Sequence, residues 1–175
     1  MRDLLKNRDG LMLGICNGFQ ALVKLGLVPY GDIVPMTDAC PTLTFNTIGR
    51  HQSRLVRTRV ASDLSPWLSK TSVGDIHTVA ISHGEGRFVA SERCSPSSGP
   101  TADRHAVRGR DRHPRHGPGC EPERLAARLE GITEPDGRVF GKMGHSERSG
   151  NGLYVNVPGN KYQPIFEAGV EYFAA

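Results

Sequence analysis

The stretch Leu11-Met-Leu-Gly-Ile-Cys16-Asn-Gly-Phe-Gln20 decides the fold prediction for this chain of 175 residues. A short apolar run ends abruptly at Cys16, and apolar residues then recur at helical spacing until Gly26 and Pro29 close the segment. The pattern predicts a strand, a sharp turn and a helix, with a thiol at the turn and a glycine two residues to either side. Such a turn exposes a nucleophilic side chain at the carboxyl end of a parallel strand.

Cys16 has two interpretations at this point. Most free cysteines are buried and structural, and spacing alone does not exclude that role. The alternative is a nucleophile, because the positive end of the following helix favours the thiolate form, which is the reactive one. The spacing of the residues leaves both interpretations open.

A second group of chemically competent residues, Gly144-His145-Ser146-Glu147-Arg148, follows a predicted strand that ends at Met143. In an extended chain, residues two apart lie on the same face, so His145 and Glu147 can lie side by side. A cysteine nucleophile needs a base for its proton, and a carboxylate on the far imidazole nitrogen orients that base. A surface histidine and glutamate in a loop are the alternative, and the H-x-E pattern alone favours it.

The residues themselves carry a family resemblance. Gly14-Ile-Cys16-Asn-Gly18-Phe-Gln20 resembles the G-x-C-x-G-x-Q signature of class I glutamine amidotransferases, and His145-Ser-Glu147 resembles their H-x-E element. Within that class, the longer sequence resembles the glutaminase domain of phosphoribosylformylglycinamidine synthase. This resemblance covers residues 1–92 and about 129–173, and it includes the stretches 14–29, 43–51, 82–88, 140–148 and 152–159.

The resemblance implies a role for each matching residue. Cys16 attacks the carboxamide of glutamine to form a glutamyl thioester, His145 is the general base and then the acid, and Glu147 orients His145. The N–H of Asn17 supplies one half of an oxyanion hole. Residues implied to bind the substrate are Gly14, Asn17, Gln20, His83 and Gly84. No metal is implied in this site.

The resemblance also implies what the chemistry serves. Ammonia from glutamine is used in the ATP-dependent amidation of formylglycinamide ribonucleotide, a step of de novo purine biosynthesis. ATP and Mg²⁺ are expected on the synthase domain, and no cofactor is expected in this chain, which has no phosphate-cradling glycine loop. The expected partners are glutamine and the catalytic domain or subunit of the synthase. The alternative is a catalytically inactive truncated fragment that at most docks to synthase domains.

The expected fold is α/β: a partial, flavodoxin-like class I glutamine amidotransferase domain over residues 1–175, built on a mostly parallel sheet. In that class the nucleophile strand follows several βα units, whereas here it begins about ten residues into the chain. We therefore expect the first βα units to be missing, together with the glycine-rich loop that supplies the second oxyanion N–H. An exposed edge on the nucleophile strand would follow.

Residue patterns predict further elements. Alternation of polar and apolar residues predicts strands over 42–46 and 54–60, and two further strands are predicted over 76–81 and 138–143. Trp67, the only tryptophan, is expected to anchor a small cluster from a turn. Residues from Lys161 onward predict an amphipathic helix whose apolar positions are Ile165, Phe166, Val170 and Phe173.

Residues 93–118 fit none of these patterns. Six arginines and two aspartates give this segment a charge of +4, which equals the formal charge of the whole chain, so the rest is near neutral. The segment is rich in proline and glycine and has almost no apolar residues, which predicts disorder. If the codons for residues 103–118 are read in a frame shifted by one nucleotide, they can encode a strand–turn–strand that resembles the family. A frame-shifted segment is therefore the other possibility.

Composition excludes several function classes. The basic segment lacks interleaved aromatic residues or a recognisable fold, so nucleic-acid binding is not expected. No run of eighteen apolar residues occurs, so no membrane association is expected. The four cysteines contain no C-x-x-C pair, which favours a reducing, cytoplasmic location over a disulfide scaffold. Five residues of the types that bind metals occur in or near this segment: Cys94, His105, His113, His116 and Cys120. Their spacing matches no zinc-binding motif.

Overall fold

The predicted strand–turn–helix around Cys16 is present in the structure, a computed structural model that describes residues 1–91, 106–109, 124–127 and 129–174. Strand β1 and helix α2 flank the cysteine. The helices are α1 (Arg2–Lys6), α2 (Asn17–Leu25), α3 (Leu27–Tyr30) and α4 (Ile165–Glu171). The strands are β1 (Met12–Ile15), β2 (Thr42–Thr44), β3 (Gln52–Val60), β4 (Ile76–His83), β5 (Arg87–Ser91), β6 (Ala106–Gly109), β7 (Arg124–Ala127), β8 (Leu129–Thr133) and β9 (Val139–Lys142).

The described strands form two sheets. Six strands have the order β1-β9-β8-β6-β3-β4, and three have the order β2-β5-β7. Helix α2 packs between the two sheets, because its buried Phe19, Leu22 and Val23 share one core cluster with Val139 of β9 and with Phe88 of β5. The α/β class expected from the sequence is confirmed.

The expectation of a mostly parallel sheet is wrong. In the described residues, β1 and β9 are the only strands of a sheet that pair in parallel, and all other strand pairs are antiparallel. Parallel neighbours need a crossover of a dozen or more residues, usually through a helix. Here the short turn 134–138 joins β8 directly to β9, which forces an antiparallel pair. The two parallel strands are the ones whose ends carry Cys16 and His145.

Strand β1 lies at one end of the six-strand order, with β9 as its described neighbour. An edge strand presents unpaired N–H and C=O groups along its free side. The exposed edge expected for the nucleophile strand is therefore observed in the described part of the chain.

Helix α4 buries a different face from the one predicted. Ile165 is buried as expected, but Phe166, Val170 and Phe173 are exposed, and Ala168 and Gly169 take their place in the interior. The reason is the close approach of the Trp67 ring, since a Cβ on Gly169 would lie 2.4 Å from it. Trp67 does anchor a small cluster, which contains Leu13, Leu68, Phe140 and Ile165.

The prediction of a disordered or frame-shifted segment at 93–118 falls almost wholly outside the described residues. The exception is Ala106–Gly109, whose backbone forms β6 and pairs with β3 and β8. None of the helices in the described residues is long and apolar enough to cross a membrane.

Two histidines, the buried His77 and the half-buried His83, make the fold sensitive to acid. Burial is the main cause that lowers the pKa of His77 and of His83 below the ordinary value of 6.5. For His77, the neighbouring Lys142 adds to this effect, while Asp75 and Glu130 oppose it. The folded state thus keeps both imidazoles neutral at a pH at which the unfolded chain already binds protons.

We predict that the free energy of unfolding falls as the pH drops below about 6.5, because the unfolded state then binds more protons than the folded state. A His77→Asn variant removes one of the two groups whose protonation is coupled to unfolding. Its free energy of unfolding should therefore depend less steeply on pH between about 6.5 and 5. Urea unfolding followed by Trp67 fluorescence at several pH values measures both slopes. Parallel curves for the variant and the parent would contradict the prediction.

Candidate active site

The backbone at Cys16 adopts a strained conformation. Its φ of 53° and ψ of −105° are uncommon for a residue with a side chain, and such strain persists only where the surroundings hold it. Two backbone hydrogen bonds do so: the N–H of Cys16 donates to the carbonyl of Lys142 at 2.8 Å, and the N–H of Gln20 donates to the carbonyl of Cys16 at 3.1 Å. A strained residue between a strand and a helix is the geometry of a nucleophile elbow.

The thiol of Cys16 lies at the start of α2. Cys16 is half-buried, and its Sγ donates to the carbonyl of Ser82 at 3.7 Å. The first bond within the helix is the one that Gln20 donates to Cys16, so the N–H groups of Asn17 and Gly18 have no acceptor within α2. These N–H groups can stabilise negative charge that develops beside the sulfur.

His145 and Glu147 are hydrogen-bonded to each other. His145 Nδ1 lies 2.5 Å from Glu147 Oε1, and the histidine is 9% exposed. His145 Nε2 is buried and has no hydrogen-bond partner among the described residues. A carboxylate on Nδ1 favours the tautomer in which Nε2 carries the free lone pair. This imidazole is thus arranged to accept a proton at Nε2.

Strand β4 brings the cysteine and the histidine into one neighbourhood. The N–H of His145 donates to the carbonyl of Ala80 at 2.8 Å, and Cys16 Sγ contacts the carbonyl of Ser82. Ala80 and Ser82 are two residues apart on β4, a separation of about 6.6 Å along a strand. Both residues are therefore bonded to one end of the same strand, Cys16 through its thiol and His145 through its backbone N–H, although they are far apart in sequence.

His83, the last residue of β4, is held by Asn46 together with the loop that follows the strand. Asn46 organises the loop: its Oδ1 lies 3.2 Å from His83 Nδ1 and accepts the N–H of Gly86 at 3.2 Å, and its Nδ2 donates to the carbonyl of His83 at 2.8 Å. Gly86 is required here, because a Cβ would lie 2.0 Å from the His83 ring. Burial, followed by the nearby His51, His145 and Arg54, lowers the pKa of His83, so that it is neutral near pH 7.

Three of the predicted substrate-binding residues make contacts within the protein. Gly14 packs against α2, and a Cβ there would lie 2.6 Å from Leu22 and 2.7 Å from the backbone of Gly18. The side chain of Gln20 donates to the carbonyl of Glu85 at 2.8 Å, which ties α2 to the loop after β4. The carbonyl of Gly84 accepts the N–H of Asn46 at 2.9 Å.

Several site residues were not predicted from the sequence. They are Asn46, Ser82, Glu130 and Lys142. Asn46 and Ser82 lie inside stretches that resemble the family, so a search for polar residues within those stretches could have found them. Glu130 and Lys142 form a buried ion pair, with Nζ 3.2 Å from Oε1, and no local pattern reveals a pairing across two strands. No group of metal-binding side chains occurs in the part of the chain that the structure describes.

The fold and the site define an α/β domain with a cysteine at a strained strand–helix turn. The chain belongs to the family of CobB/CobQ-like glutamine amidotransferase domains, whose model matches residues 1–173. The similarity to this family therefore extends beyond the Cys16 and His145 motifs to nearly the full chain.

The chain is also similar to individual named proteins. The chain is 32% identical over 168 residues to the phosphoribosylformylglycinamidine synthase subunit PurQ of Synechococcus sp. (strain JA-2-3B'a(2-13)), an alignment that covers 96% of this chain and 64% of the relative. It is 32% identical over 157 residues to the subunit of the same name from Symbiobacterium thermophilum, with 81% of this chain and 55% of that relative covered. The chain thus spans 64% and 55% of the length of these two relatives.

A solved structure shares the fold. It is described as the structure of PurLQS from Thermotoga maritima, and it superposes with a TM-score of 0.63 at 22% identity. The match covers 93% of this chain and 62% of the solved chain.

Gly14 and Gly18 give a matched pair of variants for the strained turn. Gly14→Ala forces a Cβ against backbone atoms that cannot move aside, and we expect it to lower the free energy of unfolding by about 2–3 kcal/mol. Gly18→Ala meets no heavy atom of the described residues within 4 Å, and it replaces a helical glycine, so stability should be unchanged or up to about 1 kcal/mol higher. Urea unfolding of the two variants measures the difference. Equal effects would contradict the packing assigned to Gly14.

Proposed function

We propose that this chain is a glutaminase domain that releases ammonia from glutamine for the amidation of formylglycinamide ribonucleotide in purine biosynthesis. The proposal rests on one observation above all. A strained cysteine at a helix N-terminus and a histidine already bonded to a glutamate are both anchored to the same end of β4.

The proposed reaction uses Cys16, His145 and Glu147 as a triad. The Cys16 thiol passes its proton to His145 Nε2 while sulfur bonds to the carboxamide carbon of glutamine. The proton then moves from His145 to the leaving nitrogen as the C–N bond breaks, which releases ammonia and leaves a glutamyl thioester. Water, deprotonated by His145, attacks the thioester, so that glutamate leaves and the thiol is restored. Glu147 stabilises the imidazolium that forms in each half of the cycle.

The negative oxygen of each tetrahedral intermediate needs hydrogen-bond donors. The N–H groups of Asn17 and Gly18 at the start of α2 suit this role, since the helix does not use them. One oxyanion donor contributes about 3–4 kcal/mol to transition-state stabilisation in well-studied hydrolases. Gln20, His83 and Gly84 line the proposed glutamine pocket, and Gly14 shapes it by allowing α2 to approach β1.

The relatives support the biological setting of the proposal. They are named as subunits of phosphoribosylformylglycinamidine synthase, so we propose that ammonia passes to the catalytic domain or subunit of such a synthase. ATP and Mg²⁺ would act there, and no cofactor is proposed for this chain.

The test is release of ammonia from glutamine by the purified chain and its variants. We predict turnover that Cys16→Ala reduces by more than about 1,000-fold, as expected for loss of a nucleophile. Cys40→Ala is the matched control. Cys40 is the other free cysteine of the described residues, and hydrogen bonds from Thr37 lower its pKa. Its loss should leave turnover unchanged.

Other outcomes would count against the proposal. Ammonia release that persists in Cys16→Ala would show that the thiol is not the nucleophile. An absence of turnover in the parent chain would favour the alternative, a non-catalytic fragment that at most docks to synthase domains.

A further inference from the structure

Directly behind the proposed triad lies a buried ion pair that the reaction above does not use. Glu130 on β8 and Lys142 on β9 have side chains that are 4% and 1% exposed, and Lys142 Nζ lies 3.2 Å from Glu130 Oε1. Burying two charges can cost as much free energy as their attraction returns, and well-packed apolar residues are often equally stabilising. Stability alone therefore does not account for this pair.

The other bonds of the pair lead to the residues on either side of His145. Glu130 Oε1 accepts the N–H of Gly144 at 2.8 Å. Lys142 Nζ donates to the hydroxyl of Ser146 at 2.5 Å and to the side-chain carbonyl of Gln163 at 2.8 Å. The Ser146 hydroxyl also bonds to Gln163. The turn that carries His145 is thus held on both sides by charged groups.

The carboxylate of Glu130 fits closely against this turn. A Cβ on Gly144 would lie 2.4 Å from Glu130 Oε1, so glycine is the residue that permits the contact. Lys142 also reaches the nucleophile, because its backbone carbonyl accepts the N–H of Cys16 at 2.8 Å. One residue therefore contacts the cysteine turn through its backbone and the histidine turn through its side chain.

We infer that Glu130 and Lys142 are positioning residues that fix the orientation and tautomer of His145 relative to Cys16. Their effect on turnover rests on the proposed glutaminase function, whereas their effect on the His145 ring does not. Because a displacement of about 1 Å in a catalytic group can cost about 100-fold in rate, loss of the pair should lower kcat and leave KM nearly unchanged.

The main variant is the double substitution Glu130→Gln with Lys142→Met. It removes both charges together, so no unpaired charge is buried, and the Gln carbonyl can still accept the N–H of Gly144. A second variant, Ser146→Ala, keeps the ion pair and removes only the hydroxyl through which Lys142 contacts the turn. The control is Ser65→Ala, which removes a buried hydroxyl that donates to the carbonyl of Gly137 at 2.6 Å, away from the turn at His145.

The tautomer of His145 is read from the nitrogen resonances of ¹⁵N-histidine-labelled protein at alkaline pH, where imidazoles are neutral. Among the signals of the seven histidines, those of His145 are identified as the ones that the His145→Gln variant lacks. In the parent chain we expect the proton on Nδ1, bonded to Glu147. In the double variant we expect a mixture of tautomers, with kcat lowered about 10- to 100-fold and KM within about twofold. Ser146→Ala should change the ring in the same direction and to a smaller extent.

The outcomes separate this inference from the proposed function. A parent chain without turnover contradicts the glutaminase proposal, while a changed tautomer in the two variants still supports the positioning role. A folded double variant whose His145 resonances match those of Ser65→Ala overturns the positioning role, whatever the turnover. A double variant that loses turnover with an unchanged His145 ring overturns it as well.

Discussion

The parallel pairing of β1 with β9 holds the cysteine turn and the histidine turn at the same end of one sheet. Ile15 lies opposite Lys142 in the register, and the first N–H after β1, that of Cys16, donates to the carbonyl of Lys142. This bond fixes the strained residue at the point where the chain enters α2. His145 follows β9 by three residues, so the same pairing also sets its distance from the thiol. A shift of register by one residue would turn every side chain of β1 to the opposite face.

Small residues make this arrangement possible. Gly14 lets α2 approach β1, and Gly141 on β9 accommodates Phe19, since a Cβ there would lie 2.1 Å from its ring. Helix α2 is therefore pressed against both parallel strands, and its N-terminus is fixed beside Cys16. Gly144 and Gly86 play a similar part for Glu130 and His83. At each of these positions the neighbouring group lies too close to leave room for a Cβ.

The local elements and the site motifs could be predicted from the sequence, because short patterns encode them. The apolar run before Cys16 gave β1, the helical spacing after it gave α2, and the spacing of His145 and Glu147 predicted their contact. Sheet topology could not be predicted in this way. It depends on the turn at 134–138 and on the pairing of β3 with β4, and the family resemblance favoured parallel strands instead. The buried face of α4 was also mispredicted, because a ring from a distant turn, Trp67, displaces the phenylalanines that the helical pattern favours.

The interactions between distant elements were out of reach for the same reason. Glu130 and Lys142 lie on adjacent strands, and their pairing depends on the register in which Gly131 lies opposite Lys142. Asn46 forms hydrogen bonds with His83, which lies 37 residues later in the sequence. A linear pattern carries no information about either contact. These side chains connect the elements around the site, whereas the motif residues carry the chemistry that we propose for it.

The most direct test of the central claim is to trap the covalent intermediate at Cys16. The chain is mixed with glutamine, quenched in acid and digested, and the peptides are analysed by mass spectrometry. We expect a glutamyl thioester on the peptide that contains Cys16, and a marked loss of that adduct in His145→Ala. An adduct on another cysteine, or no adduct in a chain that still releases ammonia, would contradict it.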